Sequence, residues 1–208
     1  MPERLKIPPT KSALLTLKQQ IDFLEQGHAM LERKSEILTR LVYEQLGRYR
    51  RLRRQVRGTI RTAYRSLGQT HMRMGAHMLR QMAIGMKPAL EIRILPQSNV
   101  GVEYPAVRVK PRPLQPVGLM WTDTSFDTTR TGLIELVAQL AKLGEAEAAL
   151  WRLLAEQRKT QKRVNALKYN VIPRHRATIR FIEATLEEEE RNTLFQIKVL
   201  KEKGEEGI

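Results

Sequence analysis

Cysteine is absent from the 208 residues, which removes disulfides, thiolate metal sites and thiol nucleophiles together. That absence fits a reducing compartment. Aromatic residues make up only 5% of the chain, too few for a large globular core, whereas charged residues reach 28%. Long helices that bury a stripe side by side suit this balance better than a layered α/β domain. No apolar run approaches the ~18 residues that a bilayer-spanning helix needs. Met1 to Lys11 is charged and contains proline, with no apolar core of a secretory signal. These absences describe a cytoplasmic protein, soluble or peripheral to something larger, without direct membrane insertion.

Chemistry is equally sparse. No glycine-rich loop leads into Lys and Ser/Thr, so a phosphate cradle is missing. No His-Glu-x-x-His and no supported Ser-His-Asp order occurs, and His28, His71, His77 and His175 are scattered. No catalytic, metal or cofactor site is therefore expected. Acid is missing from one long interval too. Between Glu44 and Glu91 the chain has no carboxylate but carries Arg48, Arg50, Arg51, Arg53, Arg54, Arg57, Arg61, Arg65, Arg73, Arg80 and Lys87. The net charge is +15, and such a block calls for an acidic partner surface.

What the chain does have is a heptad seam. Alternate steps of three and four from Leu14 reach Leu17, Ile21, Leu24, His28, Leu31, Ser35, Leu38, Val42, Gln45, Tyr49, Leu52, Val56, Thr59 and Ala63. Eleven of these fifteen positions are apolar. A narrow stripe sustained so long needs a partner helix beside it. The only other segment of sufficient length lies at the C-terminal end. It is apolar at Leu136, Leu140, Leu143, Leu150 and Leu154, then at Val164, Leu167, Val171, His175, Ile179, Ile182 and Leu186. The expected fold is mainly α, an antiparallel two-helix coiled coil of N- and C-terminal helices with a small central β-hairpin.

Punctuation sets the expected boundaries within one elongated domain over residues 1–208. Pro8 and Pro9 end an extended arm, and Thr10 or Ser12 caps a helix over residues 10–85. Gly47, Gly58, Gly68 and Gly75 invite bends or a break in it. Residues 88–126 hold most of the prolines. There Leu90–Ile94 and Val107–Lys110 alternate as half-buried strands about a turn-prone Pro96–Asn99 and Gly101, followed by a loop with Pro111, Pro113 and Pro116. Asp127 or Thr128 caps a second helix over residues 127–203. Within it the steps 167, 171, 175 and 179 are three consecutive fours, a stutter, and Pro173 inside them predicts a kink.

Two surfaces stand out. Met72, Met74, Met78, Met82 and Met86 include four spaced by four along one helical face. Thioethers with His71 and His77 would suit Cu(I). An adaptable packing surface is the stronger reading, because no other metal-handling feature accompanies them. Arg48, Arg51, Arg54, Arg57 and Arg61 mark the basic face. Few aromatics interleave with them and no nucleic-acid-binding pattern accompanies them, so a face toward solvent or acidic protein loops fits better than nucleic acid. The Glu187–Glu190 run reads as a solvated helix face.

Arg163-Val164-Asn165-Ala166-Leu167, followed by Val171-Ile172-Pro173, then Ile179-Arg180-Phe181-Ile182 and Leu186-Glu187-Glu188, resembles the C-terminal signature of the D subunit of A/V-type rotary ATPases. Pro9-Thr10-Lys11, Leu14, Leu17 and Gly27-His28 are similar to that family's N-terminal helix. The resemblance implies a non-catalytic rotor stalk that couples ATP hydrolysis or synthesis to ion transport. Its implied partners are the hexamer of catalytic A and B subunits, the small F subunit of the stalk and the socket subunit of the membrane rotor ring. The competing expectation is a basic coiled-coil nucleic-acid-binding or scaffold protein.

Overall fold

The computed structural model describes residues 4–115 and 122–205, with side chains as far as Lys201. In chain order the elements are α1 (Lys11–Met74), α2 (Ala76–Ile84), β1 (Leu90–Asn99), β2 (Val102–Pro111) and α3 (Thr124–Ala166). A π-helical turn (Leu167–Val171) then leads into α4 (Ile172–Glu205). The fold is mainly helical with one hairpin in the middle. It divides into two compact units, Met1–Glu36 with Arg158–Ile208, and Ile37–Gln157.

In the first unit Thr10 caps α1, its hydroxyl accepting from the Ala13 amide at 3.2 Å. The core is Leu17, Ile21, Ile172, Ile179 and Ile182, with Leu14, Leu24 and Leu186 packed against it. The helices run antiparallel, as three ion pairs record. Lys11 meets Glu190, Lys18 meets Glu183 and Glu25 meets Arg176, at 2.7, 2.7 and 2.6 Å. Each step is one heptad on both helices, so all three pairs occupy the same heptad position, in which Lys18 follows the buried Leu17 and Glu183 the buried Ile182.

The π turn solves a problem set by Pro173. Proline offers no N–H and its ring crowds the carbonyl four residues back. The widened turn before it lets the Ile172 amide reach back five residues to the Leu167 carbonyl. It also absorbs the stutter. Twelve residues from Leu167 to Ile179 at about 100° each overshoot three turns by about 120°. One residue taken up by the wide turn returns Ile179 to within about 20° of the seam. Around Pro173 the structure places a π turn that keeps the stripe in phase.

In the second unit every seam position from Leu38 to Ala63 is buried or half-buried. The seam continues past Ala63 through polar residues. The buried Thr70 hydroxyl lies 2.9 Å from the Ser125 carbonyl and 2.8 Å from the Thr129 hydroxyl. On α3 the buried stripe is Phe126, Thr129, Leu136, Ala146, Ala149, Leu150 and Leu153, whereas Leu140 is 43% exposed. Leu140 is thus no seam residue, because the stripe shifts register between Leu136 and Ala146. Arg48 with Glu145, Thr59 with Gln139 and Arg73 with Asp123 fix the antiparallel direction here.

Three boundaries differ from the sequence reading. The first long helix breaks at Gly75 alone, whose φ of 79° and ψ of 158° only glycine adopts readily. Gly47, Gly58 and Gly68 stay helical. The strands run longer than expected, pairing from Leu90↔Pro111 to Asn99↔Val102, so Pro96–Asn99 is strand. The turn is only Val100 and Gly101, both at positive φ, 52° and 76°. Val100 bears strain of about 1–2 kcal/mol there, offset by packing against Leu38, Val102 and Leu153. Pro111 closes β2, and Pro116 lies outside the described residues.

Finally, α3 begins at Thr124, three residues before the expected caps. Asp123 precedes it. Its carboxylate accepts from the Ser125 hydroxyl at 2.7 Å and from the Arg73 guanidinium at 2.9 Å. These hydrogen bonds hold the Asp123 carboxyl below its ordinary value of 3.8, Ser125 contributing most. The folded state therefore prefers the carboxylate. Its stabilisation is present above the unfolded value and vanishes as pH falls through the lower folded one. Asp123→Asn should flatten the fall in Tm between about pH 5 and pH 2. Equal slopes for the two proteins would show that this carboxylate contributes nothing.

Candidate functional site

Among the described residues no three His, Asp or Glu side chains converge as a metal group would require. His28 sits in the seam, its Nδ1 3.9 Å from a Glu32 oxygen and its Nε2 buried without a partner. His175 Nδ1 lies 2.9 Å from the Val171 carbonyl beside the π turn. His71 and His77 are exposed on either side of Gly75.

The arginine block divides by position. Arg48 follows the seam closely enough to reach across to α3, where it donates to Glu145 at 3.0 Å. Arg50, Arg53, Arg54 and Arg57 lie on the outward face and line a depression of about 470 Å³. Arg51, Arg61 and Arg65 are exposed as well. Exposed helices ordinarily intersperse opposite charges at i±3 and i±4. Here those neighbours are like charges, 50 with 54, 53 with 57 and 57 with 61. Such a face destabilises its own helix slightly.

The methionine stripe does not lie along one helix, because Gly75 separates Met74 from Met78 and Met82. Met74, Met78, Met82 and Met86 are each half-buried, and Met72 is 80% exposed. Nothing in α2 is fully buried.

The motif residues surround the π turn. Val164 and Ile172 are buried, Leu167 and Pro173 half-buried, and Arg163, Asn165 and Ala166 exposed. Asn165 has a structural task. Its carbonyl accepts from the Gln161 amide at 3.1 Å, and Gln161 Oε1 in turn accepts from the seam hydroxyl of Ser35 at 2.8 Å. This relay satisfies the buried Ser35 and ties α1 to the motif. Sequence reasoning missed it, and it missed the three heptad-spaced ion pairs. The latter had a signal, since Lys11, Lys18 and Glu25 recur every seven residues, as do Arg176, Glu183 and Glu190.

Paired helices, one hairpin and unbalanced charged faces define a coiled-coil protein built for assembly. The profile of the family of ATP synthase D subunits matches residues 13–202. The D subunit of the A-type ATP synthase of Pyrococcus horikoshii is 35% identical over 205 residues, covering 97% of this chain and 96% of that protein. The D subunit of the V-type ATP synthase of Thermotoga neapolitana is 32% identical over 200 residues, covering 96% and 98%. The chain belongs to the family of ATP synthase D subunits. It is a non-catalytic component of an A/V-type ATP synthase and works in a complex with other subunits. No helix among the described residues is long and apolar enough to cross a membrane.

Proposed function

We propose that this protein is the rotor of its complex, the central stalk that couples ATP hydrolysis or synthesis in a hexamer of A and B subunits to ion transport. The carrying observation is the heptad-spaced set Lys11–Glu190, Lys18–Glu183 and Glu25–Arg176. Torque on paired helices tends to slide one past the other. Ion pairs that recur with the seam oppose that sliding at three successive heptads, while the core beneath them keeps the helices in register. Each exposed pair is worth little alone, so their value lies in registry.

The remaining surfaces suit fixed partners. The half-buried Met74, Met78 and Met82 suit the small F subunit, because thioethers adapt to a partner without fixed polar geometry. The outward arginines suit acidic protein surface on the A/B hexamer. The socket subunit of the membrane ring would be met by the part that carries the hairpin, which makes the protein peripheral to the membrane on the cytoplasmic side.

The absence of cysteine makes the test direct. Tyr64→Cys, at a site 63% exposed, takes a single probe. With the catalytic hexamer immobilised, the probe should turn in one direction while ATP is hydrolysed. A probe that stays fixed during sustained hydrolysis removes the rotor reading. The same complex carrying Met78→Glu and Met82→Glu should lack the F subunit on purification.

A further inference from the structure

The hairpin has two outer edges, and they are treated differently. Its prolines identify the outward positions. Pro96 pairs with Pro105, and Leu90 with Pro111. Proline cannot donate to a ladder, so these pairs belong to the set whose backbone groups point away from the partner strand. By alternation the backbone groups of Leu90, Ile92 and Ile94 point outward from β1, and those of Glu103, Val107 and Val109 from β2. The β2 edge is covered. The Val107 amide donates to Glu145 at 2.8 Å, and Arg152 donates to the Glu103 carbonyl at 2.8 Å. At Ile92 and Ile94 no such partner is present among the described residues.

The side chains along that open edge are apolar and exposed, Ile92 at 42% and Ile94 at 67%. Natural edges are commonly blunted by lysine, proline or a bulge. Here Pro96 blunts only the far end. On the opposite face of β1, Arg93 and Arg112 share the one carboxylate of Glu91, at 2.6 and 3.2 Å. Arg108 lies opposite Arg93 and Lys110 opposite Glu91, so this face carries an excess of positive charge beside the edge.

We infer that the outer edge of β1, from Leu90 to Leu95, takes an extended strand from another chain, one with apolar residues at alternate positions and a carboxylate between them. Only an extended backbone returns donors and acceptors at the two-residue spacing of Leu90, Ile92 and Ile94. Its apolar residues would cover Ile92 and Ile94 on one face, and its carboxylate would meet Arg93 on the other. An acidic or neutral chain fits better than a second copy, since two chains of charge +15 repel.

The test is amide exchange, resolved by residue, in the free full-length chain and in the assembled complex. In the free chain the Ile92 and Ile94 amides should exchange quickly, while Arg93 and Leu95, bonded to β2, exchange slowly. In the complex Ile92 and Ile94 should slow by about ten-fold or more. Ile94→Pro removes an outward donor without breaking the hairpin ladder. In the complex it should return Ile92 to fast exchange with Arg93 and Leu95 still protected. Equal exchange of Ile92 and Ile94 in free and assembled protein overturns the inference. So does protection in the free chain that rises with concentration alongside a doubled mass, which would make a second copy the occupant. The probe-rotation result is separate, since a stalk turns whether or not this edge is filled.

Discussion

A chain ending at Leu167 should leave the complex hydrolysing ATP while ATP-driven ion transport falls close to background. The cut removes Ile172, Ile179 and Ile182, three of the five buried residues of the first core. It leaves Leu17 and Ile21 with no facing surface. Each such side chain contributes about 1.5–3 kcal/mol by burial, so the first unit loses most of what folds it. A lone helix stripe is then marginal in water. The second unit keeps its buried core, Leu38, Val102 and Leu153 with Val56, Ala63 and Leu136, none of which lies beyond the cut. Partners that dock on the second unit should remain bound. Transport fully coupled to hydrolysis in this truncation would show that the paired helices of the first unit are dispensable.

Replacing Arg50, Arg53, Arg54 and Arg57 together with Gln should act in opposite directions on the free chain and on the complex. Free, the chain sheds like-charge contacts at 50/53, 50/54, 53/57 and 54/57. At ~0.2–0.5 kcal/mol each, helix stability should rise by about 1–2 kcal/mol. Assembled, the complex loses its charge complementarity, so association should weaken and its dependence on salt should become shallower. Arg48 is left in place because it already bonds Glu145 within the same chain. Unchanged assembly at low salt would show that the depression these arginines line faces solvent. Salt-steep, sequence-independent DNA binding by the complex, abolished in this variant, would instead assign the face to nucleic acid.

The paired helices were legible because apolar periodicity is a direct record of what a helix buries. All fifteen seam positions from Leu14 to Ala63 are buried or half-buried. The record fails where burial is polar. Ser66, Thr70 and Thr129 extend the seam by hydroxyl contacts, and no apolar count detects them. It fails again where a step is ambiguous, as at Leu140, since i+3 and i+4 both look plausible until the register shift is seen. The turn at Val100 and Gly101 was hidden because valine is a poor residue for positive φ, and the apolar contacts that hold it there are distant in sequence. Of the candidate surfaces, the arginine face was legible as a charge imbalance. Its division into an Arg48 that reaches across to α3 and neighbours that do not needed the partner helix and Glu145.

The π turn makes one short segment the place where chain length sets helix phase. Removing one residue from Leu167–Val171 would let an ordinary helix form with Ile179 still within about 20° of the seam, because the wide turn already takes up that residue. Adding one residue to an otherwise unchanged segment would instead rotate everything downstream by about 100°. Ile179 and Ile182 would then swing away from Leu17 and Ile21, and Arg176, Glu183 and Glu190 would leave their partners together. A single-codon insertion here should therefore do more damage than a single-codon deletion.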